Sequence, residues 1–61
     1  MKQQITFKHY RTGQLITKTC EMLPDYNKHP DSEVLIVYNH DDDHIEAIVK
    51  TTIQEIGEPN E

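Results

Sequence analysis

The residues best suited to chemistry are two histidines that flank three aspartates, His40-Asp41-Asp42-Asp43-His44. Imidazole nitrogens and carboxylate oxygens are common ligands of divalent metals. If Asp41, Asp42 and Asp43 form a three-residue hairpin loop, the two imidazoles stand opposite each other beside three carboxylates. A metal site also needs a third fixed ligand and groups that orient each imidazole, and the sequence shows neither. We therefore predict a solvated polar hairpin turn and no metal site.

Cys20 is the only cysteine and the other residue with intrinsic reactivity. A nucleophilic thiolate needs a base or a positive charge beside it, and the sequence pattern places no histidine next to Cys20. The chain also lacks a phosphate-binding glycine loop and a pair of carboxylates in a cleft. We predict that Cys20 is a small buried hydrophobe, that the protein has no catalytic residues and is not an enzyme, and that it uses no cofactor.

The tyrosines are the candidate contact residues. Tyr26 lies in a polar connection, residues 24–32, whose two prolines are typical of a surface loop. An exposed aromatic side chain there could anchor a partner protein, so Tyr26 is the best candidate for an interface. Tyr10 and Tyr38 are predicted to cover faces of the sheet, and His9 to lie on a strand face.

The size of the chain limits it to one small domain. We predict a domain over residues 1–56 and a flexible tail over 57–61. Only 34% of the 61 residues are apolar, and a lone cysteine cannot form an intrachain disulfide, so the core must be thin. No apolar run is long enough for a membrane span, and the first residues lack a signal-peptide pattern. These features predict a cytoplasmic protein.

The net charge of −5 argues against nucleic-acid binding, which requires a basic stripe. Four basic residues do gather in the first third of the chain: Lys2, Lys8, Arg11 and Lys18. If they converge on a concave face with an aromatic side chain, binding to single strands becomes plausible. The acidic residues are interpreted as a solvated surface that maintains solubility.

Alternating apolar and polar residues predict the strands that position these groups. Ile5 to Tyr10 alternates, and Gly13 marks a tight turn after it. With a two-residue loop at Thr12 and Gly13, Phe7 lies opposite Lys18. This register gathers one apolar face: Ile5, Phe7, Ile16, Cys20 and Met22. Further along, Val34 to Tyr38 is a continuous apolar run typical of a buried strand.

The segment from Ile45 to Ile56 fits two structures. As a helix over about 44–56 it has one apolar arc, a cap at Asp43 and a stop at Gly57, which gives an α+β fold with a three-stranded sheet. As strands it benefits from seven β-branched residues among twelve, and we favour this interpretation. A hairpin then places Val37 opposite Ala47, a short turn covers 50–53, and a last strand covers 53–56. The predicted fold is all-β, a five-stranded SH3-like or Sm-like barrel or meander.

Several pieces of the sequence match one family within that group. They are the Ile5-Thr6-Phe7 strand, the Gly13 turn, the Leu35-Ile36-Val37 strand, and the segment Ile45 to Ile56, with an isoleucine-rich strand and an I-x-x-I step. In these pieces the chain resembles the YolD-like small proteins of Gram-positive bacteria and their phages. The resemblance implies a small bacterial or prophage accessory protein without established chemistry and a link to the DNA-damage response. It identifies no functional residues.

The sequence as a whole predicts a non-catalytic protein-interaction or regulatory accessory module. Its apolar residues exceed what a thin core can cover, and the predicted surplus is Tyr10, Leu15, Val34, Ile36 and Ile48. Such residues can bind a protein partner through a sheet edge or face, or allow a homo-oligomer through an edge strand. The alternative is a nucleic-acid-binding Sm-like module, and a third possibility is acidic mimicry of nucleic acid.

Overall fold

A computed structural model describes residues 1–58 and shows five antiparallel strands in one sheet. The strands are β1 (Lys2–Lys8), β2 (Leu15–Met22), β3 (Val34–Asn39), β4 (His44–Val49) and β5 (Ile53–Gly57). Their order across the sheet is β4-β3-β2-β1-β5, so β5 returns to pair with β1. The all-β prediction is confirmed as an open meander that does not close into a barrel. The alternative helix over 44–56 is wrong, because β4, a 3-10 turn at Lys50–Thr52 and β5 occupy that segment.

The first hairpin joins β1 and β2 through a longer turn than the sequence predicted. Phe7 lies opposite Ile16 rather than Lys18. The turn closes where the backbone N–H of His9 donates to the carbonyl of Gln14 at 2.8 Å. The predicted register is therefore wrong by two residues, but a shift of two keeps the same side chains on one face. On that face Ile5, Phe7 and Cys20 are buried, Ile16 is half-buried and Met22 is exposed.

The second hairpin joins β3 and β4 through the four residues 40–43. Val37 lies opposite Glu46 rather than Ala47, so the predicted three-residue loop is wrong by one residue. The additional turn residue is accommodated because Asp43 adopts the left-handed conformation, with φ at 57°.

A shift of one residue turns every side chain of β4 to the opposite face of the sheet. Ile48 is therefore buried, whereas Ile45 and Val49, which the predicted register directed into the core, are exposed. The resulting core lies on one face of the sheet and consists of Ile5, Phe7, Cys20, Val37 and Ile48, with Ile16, Leu35 and Ile53 packed against it.

The connection from β2 to β3 contains a 3-10 turn at Pro24–Tyr26, in the polar segment that the sequence predicted to be a surface loop. Pairing of β2 with β3 ends at Met22 and Val37, and beyond this point the side chain of Asn27 hydrogen-bonds to the backbone of β3. Its Oδ1 accepts the backbone N–H of Ile36 at 2.8 Å, and its Nδ2 donates to the carbonyl of Ile36 at 2.7 Å. This side chain therefore completes the hydrogen bonding at the start of β3.

The end of the described chain differs slightly from the predicted boundary. Gly57 belongs to β5, so the sheet extends one residue past the predicted domain end at 56. Of the predicted tail, residues 59–61 lie outside the described residues. Within residues 1–58 no helix has the length and apolar character to cross a membrane.

Candidate functional site

Asn39, the last residue of β3, is the buried polar residue on which the β3–β4 turn depends, with 1% of its surface exposed. Its Oδ1 accepts the backbone N–H groups of Asp41 and Asp42, both at 3.0 Å. Its Nδ2 donates to the carboxylates of Asp42 and Glu46, both at 3.1 Å. Donors and acceptor of the amide all have partners, as a buried polar group requires.

The same turn is attached to β2. The carboxylate of Asp41 accepts the backbone N–H of Thr19 at 2.9 Å, and the backbone N–H of His40 donates to the carbonyl of Thr19 at 2.8 Å. The ammonium of Lys18 lies 3.2 Å from the carboxylate of Asp42. All three aspartates are exposed, as a solvated turn requires, but Asp41 and Asp42 also bind the neighbouring strand and fix the position of the turn.

The two imidazoles do not face each other, so that expectation is wrong. With four residues in the turn, Asn39 and not His40 lies opposite His44. The Nε2 of His40 lies 3.2 Å from the carboxylate of Glu21, whereas the Nε2 of His44 lies 3.2 Å from the carboxylate of Glu46. The histidines therefore have separate carboxylate partners.

A different group of three side chains has metal-ligating atoms close together at this turn. One ligand atom from each of Asp42, His44 and Glu46 lies within 4.8 Å of the other two. Both carboxylates already accept a hydrogen bond from Asn39, and Asp42 also pairs with Lys18. These carboxylates are therefore already engaged in bonds within the chain.

Cys20 lies beneath this turn, opposite Asn39 in the pairing of β2 with β3. Burial, followed by the negative charges of Glu46, Asp41 and Asp42, raises the pKa of its thiol to about 11. A thiol with such a pKa is protonated at neutral pH and is a poor nucleophile. Its position in the core agrees with the predicted role as a small buried hydrophobe.

A groove of about 270 Å³ lies between the end of β1 and β4. Its lining residues are Phe7, Lys8, His9, Tyr10, Glu46, Ala47, Ile48, Val49 and Thr52. β4 is at the end of the sheet order, so its only hydrogen-bonded neighbour among residues 1–58 is β3. The groove therefore borders a strand edge whose backbone has no partner strand in the described chain.

The β1 side of the groove is formed by the start of the first turn. The Nδ1 of His9 accepts the backbone N–H of Arg11 at 3.1 Å, so His9 caps the turn and does not lie on a strand face as predicted. Its ring stacks on Tyr10, with 5.0 Å between centroids, and the guanidinium of Arg11 lies 5.5 Å from the centre of the Tyr10 ring. Tyr10 is 80% exposed, so it does not cover the sheet as predicted.

Exposed apolar side chains follow β4 along its outer face. Ile45 and Val49 are 56% and 42% exposed, and Ala47 between them is also exposed. Across the hairpin they pair with half-buried residues of β3, in the order Tyr38, Ile36 and Val34. We call Ile45, Ala47 and Val49 the β4 stripe.

The other predicted contact residues are dispersed. Tyr26 is 65% exposed in its 3-10 turn, as a contact residue must be. Of the predicted surplus of apolar residues, Leu15 is exposed, as is Tyr10, but Ile48 is buried, so its inclusion was wrong. Knowledge of the length of the β3–β4 turn would have predicted that Ile48 is buried, because this length determines the face of the sheet on which each β4 residue lies.

The four basic residues of the first third do not form one surface. Lys18 pairs with Asp42 on the core face. Lys2 and Lys8 are the first and last residues of β1, which separates them by about 20 Å at the rise of a strand. Only Lys8 and Arg11 lie at the same end of the sheet.

Comparisons with known proteins identify no relative: no family model, no curated protein and no solved structure matches the chain. The resemblance to the YolD-like family stays a prediction.

The sequence missed Asn39, Glu46 and the groove. An asparagine that ends an apolar run and precedes a turn is a recognisable signal for side-chain hydrogen bonds to the turn backbone. No local signal exists for the groove, because it is formed by residues about forty positions apart in the chain.

Proposed function

We propose that the protein is a non-catalytic interaction module that binds an extended segment of another polypeptide along the edge of β4. The observation that carries this proposal is a strand edge that has no partner among residues 1–58 and lies beside an apolar groove. An added strand obtains affinity from backbone hydrogen bonds, and its alternate side chains obtain specificity from adjoining pockets. The groove provides such a pocket, and the β4 stripe provides apolar contacts on the outer face.

The opposite edge of the sheet supports the assignment to β4. β5 pairs irregularly with β1, with a register shift between Thr6 and Phe7, and its exposed residues are the polar Gln54 and Glu55 and the apolar Ile56. Irregular pairing and polar edge residues discourage strand addition. β4 has no proline, glycine or lysine, and its exposed residues include the apolar stripe.

The environments of the cysteine and of the histidines at the second turn are consistent with a non-catalytic binding role. The thiol of Cys20 is buried and carries a raised pKa. The histidines at the second turn hydrogen-bond to carboxylates rather than to a nucleophile. A cytoplasmic location and a bacterial or phage origin belong to this proposal as expectations from the sequence.

The test is a selection of binders from a random peptide library, followed by amide chemical-shift mapping on the isotope-labelled chain. We expect the shifts to concentrate on β4 and on the groove residues Phe7 to Tyr10. Val49→Asp should abolish binding, whereas Gln54→Glu, which adds a carboxylate on the opposite edge strand, should preserve it. Selected peptides that bind Val49→Asp unchanged, or shifts confined to β5, would contradict the proposal.

No specific observation favours the alternative of nucleic-acid binding, because Lys2, Lys8 and Lys18 occupy separate parts of the sheet. No observation favours acidic mimicry of nucleic acid either. The carboxylate of Asp41 is bound to Thr19, and that of Asp42 is bound to Lys18 and Asn39.

A further inference from the structure

We propose that the polypeptide that occupies the β4 edge is the β4 strand of a second copy of this chain, paired antiparallel about a two-fold axis at Ala47. This inference rests on the proposed function, since it names the partner of the same edge. It makes the protein a homodimer with one continuous sheet of ten strands, twice the five of a single copy.

The face to which each β4 residue points restricts the possible registers. Across a continuous antiparallel sheet, residues directly opposite each other lie on the same face. For two identical antiparallel strands, this condition is met when the two-fold axis lies midway between the two copies of the same residue, which then face each other. The β4 stripe of one copy then lies beside the β4 stripe of the other.

Charge and strand length select among these registers. An axis at Glu46 places two carboxylates directly opposite each other, which is destabilising. An axis at Ile48 pairs only residues 47–49, because the chain leaves the strand at Lys50. An axis at Ala47 pairs residues 45–49, places Ile45 opposite Val49 twice, and places Glu46 opposite Ile48.

The acidic turns are compatible with this arrangement. Asp43 is four residues from the axis, so the two Asp43 residues are separated by about 27 Å, beyond the screening length of about 8 Å. Just beyond the paired residues 45–49, the turn that ends at Asp43 in one copy lies near the 3-10 turn that begins at Lys50 in the other. The acidic turn of one copy therefore approaches a cation of the other, although each copy carries a net charge of −5.

The apolar residues of the proposed interface are exposed in the single chain. Ile45 and Val49 are large apolar side chains at more than two-fifths exposure, and the antiparallel pairing covers all four of them at once. Their burial favours association, and the backbone of β4 gains the partner that it lacks within residues 1–58.

The first experiment is light scattering during size exclusion over a wide concentration range, with charge variants of the axis residue. We expect the mass to rise from 7.2 kDa toward twice that value. Ala47→Glu and Ala47→Lys should each weaken the dimer by roughly tenfold or more, since each places like charges at the axis. An equimolar mixture of the two variants should restore the dimer, because a residue on the axis meets itself. Gln54→Glu is the matched control and should associate like the wild type.

The second experiment is disulfide formation. Ala47→Cys should give a covalent dimer under mild oxidation, since directly opposite residues have Cα separations suited to a disulfide. Gln54→Cys should not, and Cys20 is buried.

The inference is overturned if the wild type stays at 7.2 kDa throughout, if Ala47→Glu associates as well as the wild type, or if the mixed variants stay monomeric. A monomeric wild type whose β4 amides still respond to selected peptides would overturn the second copy as partner and leave the proposed function standing. Failure of both assays would reject the proposed function as well.

Discussion

The two hairpins of the sheet are held by different interactions. The β1–β2 turn is exposed, and its contacts are local, from His9 to Arg11 and Gln14. The β3–β4 turn is bonded to the buried amide of Asn39 and to the backbone of Thr19 on the neighbouring strand. Local backbone conformation therefore sets the first turn, and a tertiary polar network sets the second.

The difference has energetic consequences because the apolar core is so small. Each buried hydrogen bond contributes about 1 kcal/mol, and leaving a partner unsatisfied costs about 1–3 kcal/mol. The second turn contains several such bonds around one side chain, whereas the first depends on a glycine conformation. Substitutions at the two turns should separate these contributions.

The largest expected effect comes from Asn39→Ala. We expect the free energy of unfolding to fall by about 3 kcal/mol, since two turn N–H groups and the carboxylates of Asp42 and Glu46 lose their partner. That is most of the stability available to a domain of this size. Urea denaturation followed by circular dichroism measures it.

Asn27→Ala is the matched control for this prediction. The amide of Asn27 makes three hydrogen bonds, to Leu23 and twice to Ile36, against four for Asn39, and it is only partly buried. Water can replace its bonds, so we expect a loss of about 1 kcal/mol. Equal losses of unfolding free energy in the two variants would show that the buried bonds of Asn39 stabilise the fold no more than the partly exposed bonds of Asn27.

The two turns also explain how much of the fold could be predicted. Strand patterning located all five strands because apolar and β-branched residues concentrate in them. The first register was wrong by two residues, which preserved the face of Ile5 and Phe7. The second was wrong by one residue, which inverted the faces of Ile45 and Ile48. A sequence shows the period of a strand, but turn length depends on tertiary bonds such as those of Asn39.

The candidate site was less predictable than the fold. The cluster at His40 to His44 was found from its residue types, but its expected geometry depended on the wrong turn length. The groove requires the end of β1 to approach β4 in space, and no local pattern encodes that approach. Binding through an edge strand was predicted without naming the strand, and the two edge strands of the sheet are β4 and β5.

Thiol chemistry offers the next test of the second turn. The raised pKa of Cys20, from 9.0 to about 11, lowers its thiolate fraction roughly 100-fold at neutral pH. We expect alkylation by iodoacetamide to be slower than that of a free cysteine by at least this factor. Asn39→Ala should accelerate it, because the turn above Cys20 loosens, and Gly13→Ala should accelerate it much less. Equal acceleration by both variants would contradict the separate anchoring of the turns.

A smaller effect is expected from Gly13→Ala in the first turn. Gly13 has φ at 72°, and an added Cβ would meet nothing within 4 Å, so the cost is conformational and about 1 kcal/mol. Gly57→Ala is the control, because Gly57 lies outside the left-handed region and is equally open. It should be neutral or slightly stabilising in thermal denaturation. A larger loss at Gly57 would mean that φ does not limit the first turn.

The smallest effect concerns Glu21, through which β2 contacts His40 in the second turn. The hydrogen bond from His40, followed by that from the N-terminal ammonium of Met1, lowers the pKa of this carboxyl below 4.5. Near pH 4.5 and below, the unfolded chain therefore binds more protons than the folded chain, so the free energy of unfolding rises with pH in this range. The contribution is lost at lower pH, where Glu21 is protonated in the folded state as well. Glu21→Gln should remove this part of the pH dependence. Since Glu21 is solvent-exposed, salt should weaken the difference between variant and wild type. Identical pH profiles from pH 3 to 6 would show that the contact of the second turn with β2 depends on Thr19 and Lys18 alone.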